Sequence, residues 1–206
     1  MIYGGTYLKP RNARDLSTDA LPLWNYNIGE TIRVVCYSNC DKAQLMLNNS
    51  VADEMKNYDK ETGIIYWDIP YQPGKLELIG FKDSKECARY SLETSKQPYA
   101  IKTNVMNKTI SANKGLAIIE IQIIDEDGKP VILADNEITC TTDGPVKLLG
   151  LEASDLTDMG NYSDNVQRAY QGKMIIYVQA RGAKGKATVT LTSPWLKNAV
   201  DELTIE

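Results

Sequence analysis

The side chains with the widest chemical range crowd into one stretch between Leu149 and Tyr170. Here Asp158, Asn161, Tyr162, Asp164, Asn165, Gln167 and Arg168 place carboxylates, amides, a phenol and a guanidinium on one connection. Both flanks read as strands. Connections longer than about 12–15 residues without structure of their own are usually binding loops, lids or disordered. Such a set can coordinate a polyol, grip a neighbouring domain, or satisfy its own hydrogen bonds, and residue types alone leave all three open. The planar donor fork of Arg168 is placed to be held by Asp158 or Asp164, ordering the loop, while Tyr162 supplies an outward aromatic face. Together with Trp24 upstream, Asp158, Asn161, Tyr162, Asn165 and Arg168 form the candidate contact surface.

Catalytic chemistry is sparse elsewhere. The chain has no histidine, which removes the usual general base, the commonest metal ligand and every His-containing triad. Carboxylates are plentiful, but cleavage of a glycosidic bond needs two of them placed across it on a rigid scaffold, and no pair is singled out. No catalytic residue, cofactor site or metal site is therefore assigned. Asp125-x-Asp127-Gly128 resembles the start of a calcium loop, yet Asn136 stands where a bidentate Glu is needed, so a plain turn is expected. Gly182-Ala-Lys-Gly-Lys-Ala has Ala180 in place of the first glycine of a phosphate loop and Ala187 in place of the magnesium-binding Ser/Thr, and it reads as a hairpin turn.

The four cysteines, Cys36, Cys40, Cys87 and Cys140, include no CxxC pair. Cys36 lies in the apolar alternation of a strand and reads as a small buried residue; a Cys36–Cys40 disulfide is an option the spacing leaves open. Among the aromatics, Trp67 or its neighbour Tyr66 is expected in a core. Trp195, following Pro194, is expected to plug a sandwich edge.

These residues must be carried by strands. The chain has 206 residues, 43% hydrophobic and 24% charged, which places it among globular proteins. Strand formers dominate the patterned segments and Gly, Pro, Asn and Asp mark the breaks, as in an all-β sandwich. The formal net charge of −4 offers no basic field for phosphates, so nucleic acid is not an expected partner. No apolar run approaches the roughly 20 residues of a membrane span, and the opening Met-Ile-Tyr-Gly-Gly-Thr-Tyr does not read as a signal peptide. The expectation is a cytoplasmic chain or one cut from a longer protein, periplasmic or at the cell surface if its parent carries a signal.

Residues 1–29 show no sustained period and hold a basic cluster at Lys9, Arg11 and Arg14; they read as an irregular lead-in from a preceding domain, docked by Leu23-Trp24-Asn25-Tyr26. A first β-sandwich is expected over 30–95. Its strands are Thr31–Ser38, Ala43–Asn48, Ile64–Pro70, Lys75–Phe81 and Glu86–Leu92, with Asn48-Asn49 as a tight turn and an ambiguous segment from Val51 to Tyr58. After a polar connector, a second, immunoglobulin-like sandwich is expected over 96–206, with strands at Ala100–Val105, Leu116–Ile124, Glu137–Thr142, Val146–Gly150, Gly172–Ala180, Lys186–Thr192 and Val200–Ile205.

Taken in order, several motifs resemble the C-terminal, non-catalytic region of glycoside hydrolase family 2 enzymes, the β-galactosidase and β-glucuronidase-like group common in gut Bacteroidetes such as Bacteroides. In the first module these are Trp24-Asn25-Tyr26, the run from Ile32 to Asn48, and Trp67-Asp-Ile-Pro-Tyr-Gln-Pro-Gly-Lys-Leu. In the second they are Ile119-Glu-Ile-Gln-Ile-Ile-Asp-Glu-Asp-Gly, Thr157-Asp-Met-Gly-Asn-Tyr, Arg168-Ala-Tyr-Gln-Gly-Lys and Thr192-Ser-Pro-Trp-Leu-Lys. The resemblance implies an accessory fragment whose parent carries its acid/base and nucleophile glutamates on a (β/α)8 barrel, a unit of about 250 residues. Its implied partners are the barrel and other domains of the parent or a partner subunit, with a glycan as a second candidate. The competing reading is an independent carbohydrate-binding or adhesion module with its ligand on the long loop.

Overall fold

Alternation of apolar and polar residues, with turns at Gly, Asn and Asp, produces an all-β chain without helix among the described residues. The computed structural model describes residues 2–6, as backbone only, and 21–206; the basic cluster at Lys9, Arg11 and Arg14 lies outside them. The chain divides into two compact units, Met1–Ser95 and Lys96–Glu206.

The first unit contains β1 (Ile2–Thr6), β2 (Thr31–Cys36), β3 (Lys42–Leu47), β4 (Ser50–Val51), β5 (Lys56–Asn57), β6 (Ile65–Pro70), β7 (Lys75–Lys82) and β8 (Lys85–Glu93). One sheet runs β1-β2-β6 and the other β4-β3-β7-β8, with β5 also on β3. The lead-in is thus partly regular, because Ile2–Thr6 pairs antiparallel with β2. The ambiguous segment after Val51 resolves into the short strands β4 and β5 rather than a helical turn. Asn48 and Asn49 take positive φ of 51° and 66°, the left-handed geometry of a two-residue hairpin, which Asn tolerates without glycine.

The core of this unit gathers Trp24, Ile32, Val34, Leu45, Trp67, Ile69 and Leu76 between its sheets. Trp24 is 0% exposed, donates Nε1–H to the Gln72 carbonyl at 3.0 Å, and lies edge-on to Tyr71 at 5.1 Å and Tyr26 at 6.1 Å. Its own carbonyl accepts from Thr94 Oγ1 at 2.9 Å. Next to it, Asn25 grips Ser95 from both sides, donating Nδ2–H to its carbonyl at 2.7 Å and accepting its N–H at 3.1 Å. The Trp-Asn-Tyr triplet therefore seals the unit by tying its entry to its exit. Trp24 is a core residue and leaves the candidate contact surface.

The cysteine pairing also differs from the option the spacing suggested. Cys40 is bonded to Cys87, 47 residues on, while Cys36 and Cys140 are free and buried. The register explains the choice. β8 bulges where Gly80 faces Ala88 but Phe81 faces Glu86, leaving Cys87 as the extra residue. Gly80 on the intervening strand β7 has no side chain to obstruct the bridge: a Cβ there would lie 2.6 Å from Cys40 Sγ. Cys36 instead ends β2 with its side chain in the core, and burial pushes its thiol up; burial pushes Cys140 up to about 12.

The second unit contains β9 (Ala100–Val105), β10 (Thr109–Ile110), β11 (Leu116–Ile124), β12 (Glu137–Asp143), β13 (Val146–Glu152), β14 (Val166–Arg168), β15 (Lys173–Ala180), β16 (Gly185–Thr192) and β17 (Ala199–Ile205). Its sheets run β10-β17-β16-β12-β14 and β13-β15-β11-β9. On β11, Ala117, Ile119, Ile121 and Ile123 point into the sandwich to meet Ile176, Val178, Val189 and Leu191, while Glu120 and Gln122 point out.

Asp125 follows β11 as a buried carboxylate. Its Oδ1 accepts N–H from Asp127 at 3.0 Å and Lys129 at 2.8 Å, and its Oδ2 accepts from Lys96 at 2.8 Å. The segment is a turn, with Gly128 donating N–H to the Asp125 carbonyl at 3.1 Å. Burial pushes this carboxyl up, but the donors at Lys96, Lys129 and Asp127 outweigh it and hold it below the usual carboxylate range. A lowered folded-state value means that its stabilisation is present above the unfolded value near pH 4 and is lost as pH falls through the folded one. Asp125→Ala should strand three backbone donors and cost the second unit about 2–4 kcal/mol at neutral pH. In urea titrations at a series of pH values, the variant should lose less stability than the parent chain below about pH 4. Parallel pH curves would refute the assignment.

Candidate functional site

The long connection spans 153–165, between β13 and β14. It is organised by its own short polar side chains. Asp155 Oδ1 accepts Thr157 N–H at 2.9 Å and its hydroxyl at 2.8 Å. Asp158 Oδ1 accepts Gly160 N–H at 2.8 Å, and Asn161 Oδ1 accepts Ser163 N–H at 3.1 Å. These are the local side-chain-to-backbone turns that Asp and Asn favour. The loop is then sewn to the strands, since Leu151 N–H donates to the Tyr162 carbonyl at 3.0 Å and Cys140 N–H to the Asn165 carbonyl at 2.8 Å. Gly150 is required at the first seam, where a Cβ would overlap that Tyr162 carbonyl.

Of the candidate residues, the structure brings Asp158, Asn161, Tyr162 and Asn165 together on this loop and sends Arg168 elsewhere. Arg168 Nη1 donates to the carbonyl of Asp135 at 3.1 Å and approaches its carboxylate at 3.5 Å, so neither Asp158 nor Asp164 holds it. The reason is directional. Arg168 ends β14 opposite Glu137, close to the residues that precede β12, and its side chain reaches Asp135 rather than turning back over the loop. The link to Asp158 comes from Gln167, whose amide nitrogen donates to Asp158 Oδ2. That bond, with the Gly160 N–H, holds the Asp158 carboxyl below its ordinary range.

Tyr162 is 43% exposed, and its hydroxyl donates to the Asp158 carbonyl at 2.8 Å. Partial burial, and then the carboxylates of Asp158, Glu152 and Asp155, push the phenol up. The hydroxyl is thus tied to the loop while much of the residue stays exposed.

The most exposed large apolar residues of the loop were not among the candidates. Leu156 is 98% and Met159 92% exposed, two apolar side chains displayed on an internally bonded loop. Trp195 is a further correction. Instead of plugging an edge it is 96% exposed, at the tip of the β16–β17 turn with a positive φ of 68°, while its neighbour Leu196 takes the buried place. The usable signal was Pro194 before it, which marks a turn, and turns run over the surface. Among the described residues, no group of three or more Cys, Asp or Glu could hold a metal ion, and no helix is long and apolar enough to cross a membrane.

Comparison with known proteins places both units. Residues 101–201 match the profile of the glycoside hydrolase family 2 C-terminal domain 5, and residues 29–88 match that of a domain of unknown function, DUF4982. These are C-terminal domains of the glycoside hydrolase family 2 type. The chain is 27% identical to a β-galactosidase of Bacteroides ovatus over 90% of its own length but only 22% of that enzyme. A solved β-glycosidase from Bacteroides vulgatus superposes with a TM-score of 0.83 at 32% identity, over 89% of this chain and 24% of that one. A family 2 glycosyl hydrolase from Bacteroides cellulosilyticus shares the fold, with a TM-score of 0.88 at 20% identity, over 98% of this chain and 28% of that one. The chain thus spans less than a third of each of these relatives, and it corresponds to their C-terminal parts.

Proposed function

We propose that this chain is the non-catalytic accessory region of a retaining, β-galactosidase-like family 2 glycoside hydrolase, and that it packs against the catalytic barrel or a partner subunit. The observation that carries this reading is the display of Leu156, Met159 and Trp195, each more than nine-tenths exposed. Their positions are built: two on a loop held by its own hydrogen bonds and one in a turn of positive φ. Ordered apolar side chains of this kind are the anchors that interfaces bury, Trp above all. The parent's chemistry comes from the relatives' names, and the Cys40–Cys87 bridge supports an oxidising compartment, the periplasm or cell surface, for it.

Two measurements test the proposal. The purified 206-residue chain should release nothing from aryl β-galactosides or aryl β-glucuronides; turnover at constant specific activity through successive purification steps would sink the accessory role. The triple variant Leu156→Ser, Met159→Ser, Trp195→Ser should leave the melting of this chain within about 0.5 kcal/mol of unchanged, since none of the three is packed. In the full-length parent it should shorten the half-life of activity at elevated temperature several-fold. An unaltered parent enzyme would show that these side chains meet no other domain.

A further inference from the structure

The outer face of the β13-β15-β11-β9 sheet carries a groove that the accessory role does not use. Its volume is about 630 Å³, within the range of ligand pockets. It is lined by residues of the second unit alone.

Sheet register lays its polar groups out in two rows. Lys102, Gln122 and Lys173 face one another across β9, β11 and β15, and in the next row Asn104, Glu120, Ile175 and Glu152 do the same out to β13. The rows contain two cations and two anions, so the groove has no net charge; the first row sets an acceptor, Gln122 Oε1, between two lysine donors, and the second sets Glu120 and Glu152 on either side of Ile175. Several of these groups are already oriented. Asn104 Nδ2 donates to Glu120 Oε2 at 2.8 Å. Gln122 Nε2 donates to the carbonyls of Gly172 at 3.0 Å and Ile123 at 3.1 Å, which leaves its Oε1 as the atom it has to offer.

Ile124 and Ile175 add apolar surface among the polar groups, and Tyr170 forms a wall. Tyr170 is set there by a tight hairpin in which Tyr170 and Lys173 exchange both backbone hydrogen bonds at 3.0 Å, with Gln171 and Gly172 at positive φ of 52° and 69°.

We infer that this groove is a binding site for a short segment of a neutral oligosaccharide. A sugar hydroxyl is at once donor and acceptor, so a row with an acceptor between two donors can satisfy several along a chain, while its C–H faces suit the isoleucines and the Tyr170 ring. An acidic sugar would meet Glu120 and Glu152, and a cationic ligand would meet Lys102 and Lys173. Ligand and groove match in being uncharged overall. The inference requires only that this face stays uncovered in the parent, whichever surface of the chain docks there.

The test is affinity electrophoresis of the 206-residue chain through native gels containing β-1,4-galactan, arabinoxylan, hydroxyethylcellulose or, as the acidic probe, polygalacturonate. At least one neutral polysaccharide should retard the chain. Tyr170→Ala and Lys173→Ala should each weaken that retardation about tenfold, roughly the loss of one stacking or hydrogen-bonding contact. Tyr162→Ala on the long loop should not change it. All variants must melt like the parent chain, and the two groove substitutions cover each other should one fail to fold. No retardation by any neutral polysaccharide, retardation by polygalacturonate alone, or retardation indifferent to both groove substitutions would overturn the inference. So would hydroxyl-radical labelling showing Tyr170 covered in the full-length parent, which would make the groove a domain-docking face.

Discussion

Removing the Cys40–Cys87 bridge lowers the first unit's melting temperature by about 15–30 °C and leaves the second unit's unchanged. The bridge closes a loop of 47 residues, for which chain-entropy reasoning gives about 4 kcal/mol, at the upper end of the usual 2–4; each kcal/mol is worth about 4–8 °C in a domain of this size. It also anchors the outer strand β8, which is exposed along almost its whole length and gains little from burial. Cys40→Ser with Cys87→Ser should therefore match chemical reduction in calorimetry. Alkylation of the native, unreduced chain should label no cysteine, because Cys36 and Cys140 are buried with raised thiols, and labelling after denaturation without reductant should reach two. Four labelled cysteines under those conditions, or a double variant as stable as the parent chain, would show that the bridge does not form.

Trp24→Ala should cost the first unit about 3–5 kcal/mol, the range for deleting a large aromatic from a packed core. Trp24 is fully buried against Tyr26 and Tyr71 and donates to the Gln72 carbonyl, so its loss opens a cavity and strands that acceptor. Because Asn25 next to it holds Ser95, the cavity also loosens the unit's exit. Urea unfolding followed by Trp67 fluorescence, with Trp195→Phe as background, reads the effect. Trp24→Phe should recover more than half of the loss by refilling most of the volume. A Trp24→Ala effect below about 1 kcal/mol would mean that the residue lies at a yielding surface, not in a core.

Alternating strands were legible from local pattern. The pleat turns successive side chains to opposite faces, so β11 with Ala117, Ile119, Ile121 and Ile123 on one side had one way to bury them. Strands too short for alternation, β10 and β14, were not legible, and neither was the pairing of Ile2–Thr6 with β2, because an edge position is created by its neighbour. The motif order was enough to indicate the glycoside hydrolase family 2 C-terminal region, which the matched profiles show.

The remaining features depended on distant contacts. Asp158 and Arg168 share one connection, but Arg168 reaches Asp135 across the sheet and Gln167 takes the place proposed for it. Trp24, named in the candidate contact surface, is core, and Trp195, read as a plug, stands in solvent; hydrophobicity is the same in both places, and only the surrounding chain decides which of them is covered. Cysteine spacing left a Cys36–Cys40 pairing open and gave no sign of a partner 47 residues away, since proximity in space was set by a bulge in β8 and a bare glycine on β7. The groove rows of Lys102, Gln122 and Lys173, and of Asn104, Glu120 and Glu152, come from strands β9, β11, β13 and β15, far apart in the chain. Local alternation specified which residues face outward. Strand order and register, chosen by burial of the opposite face, decided which of them meet.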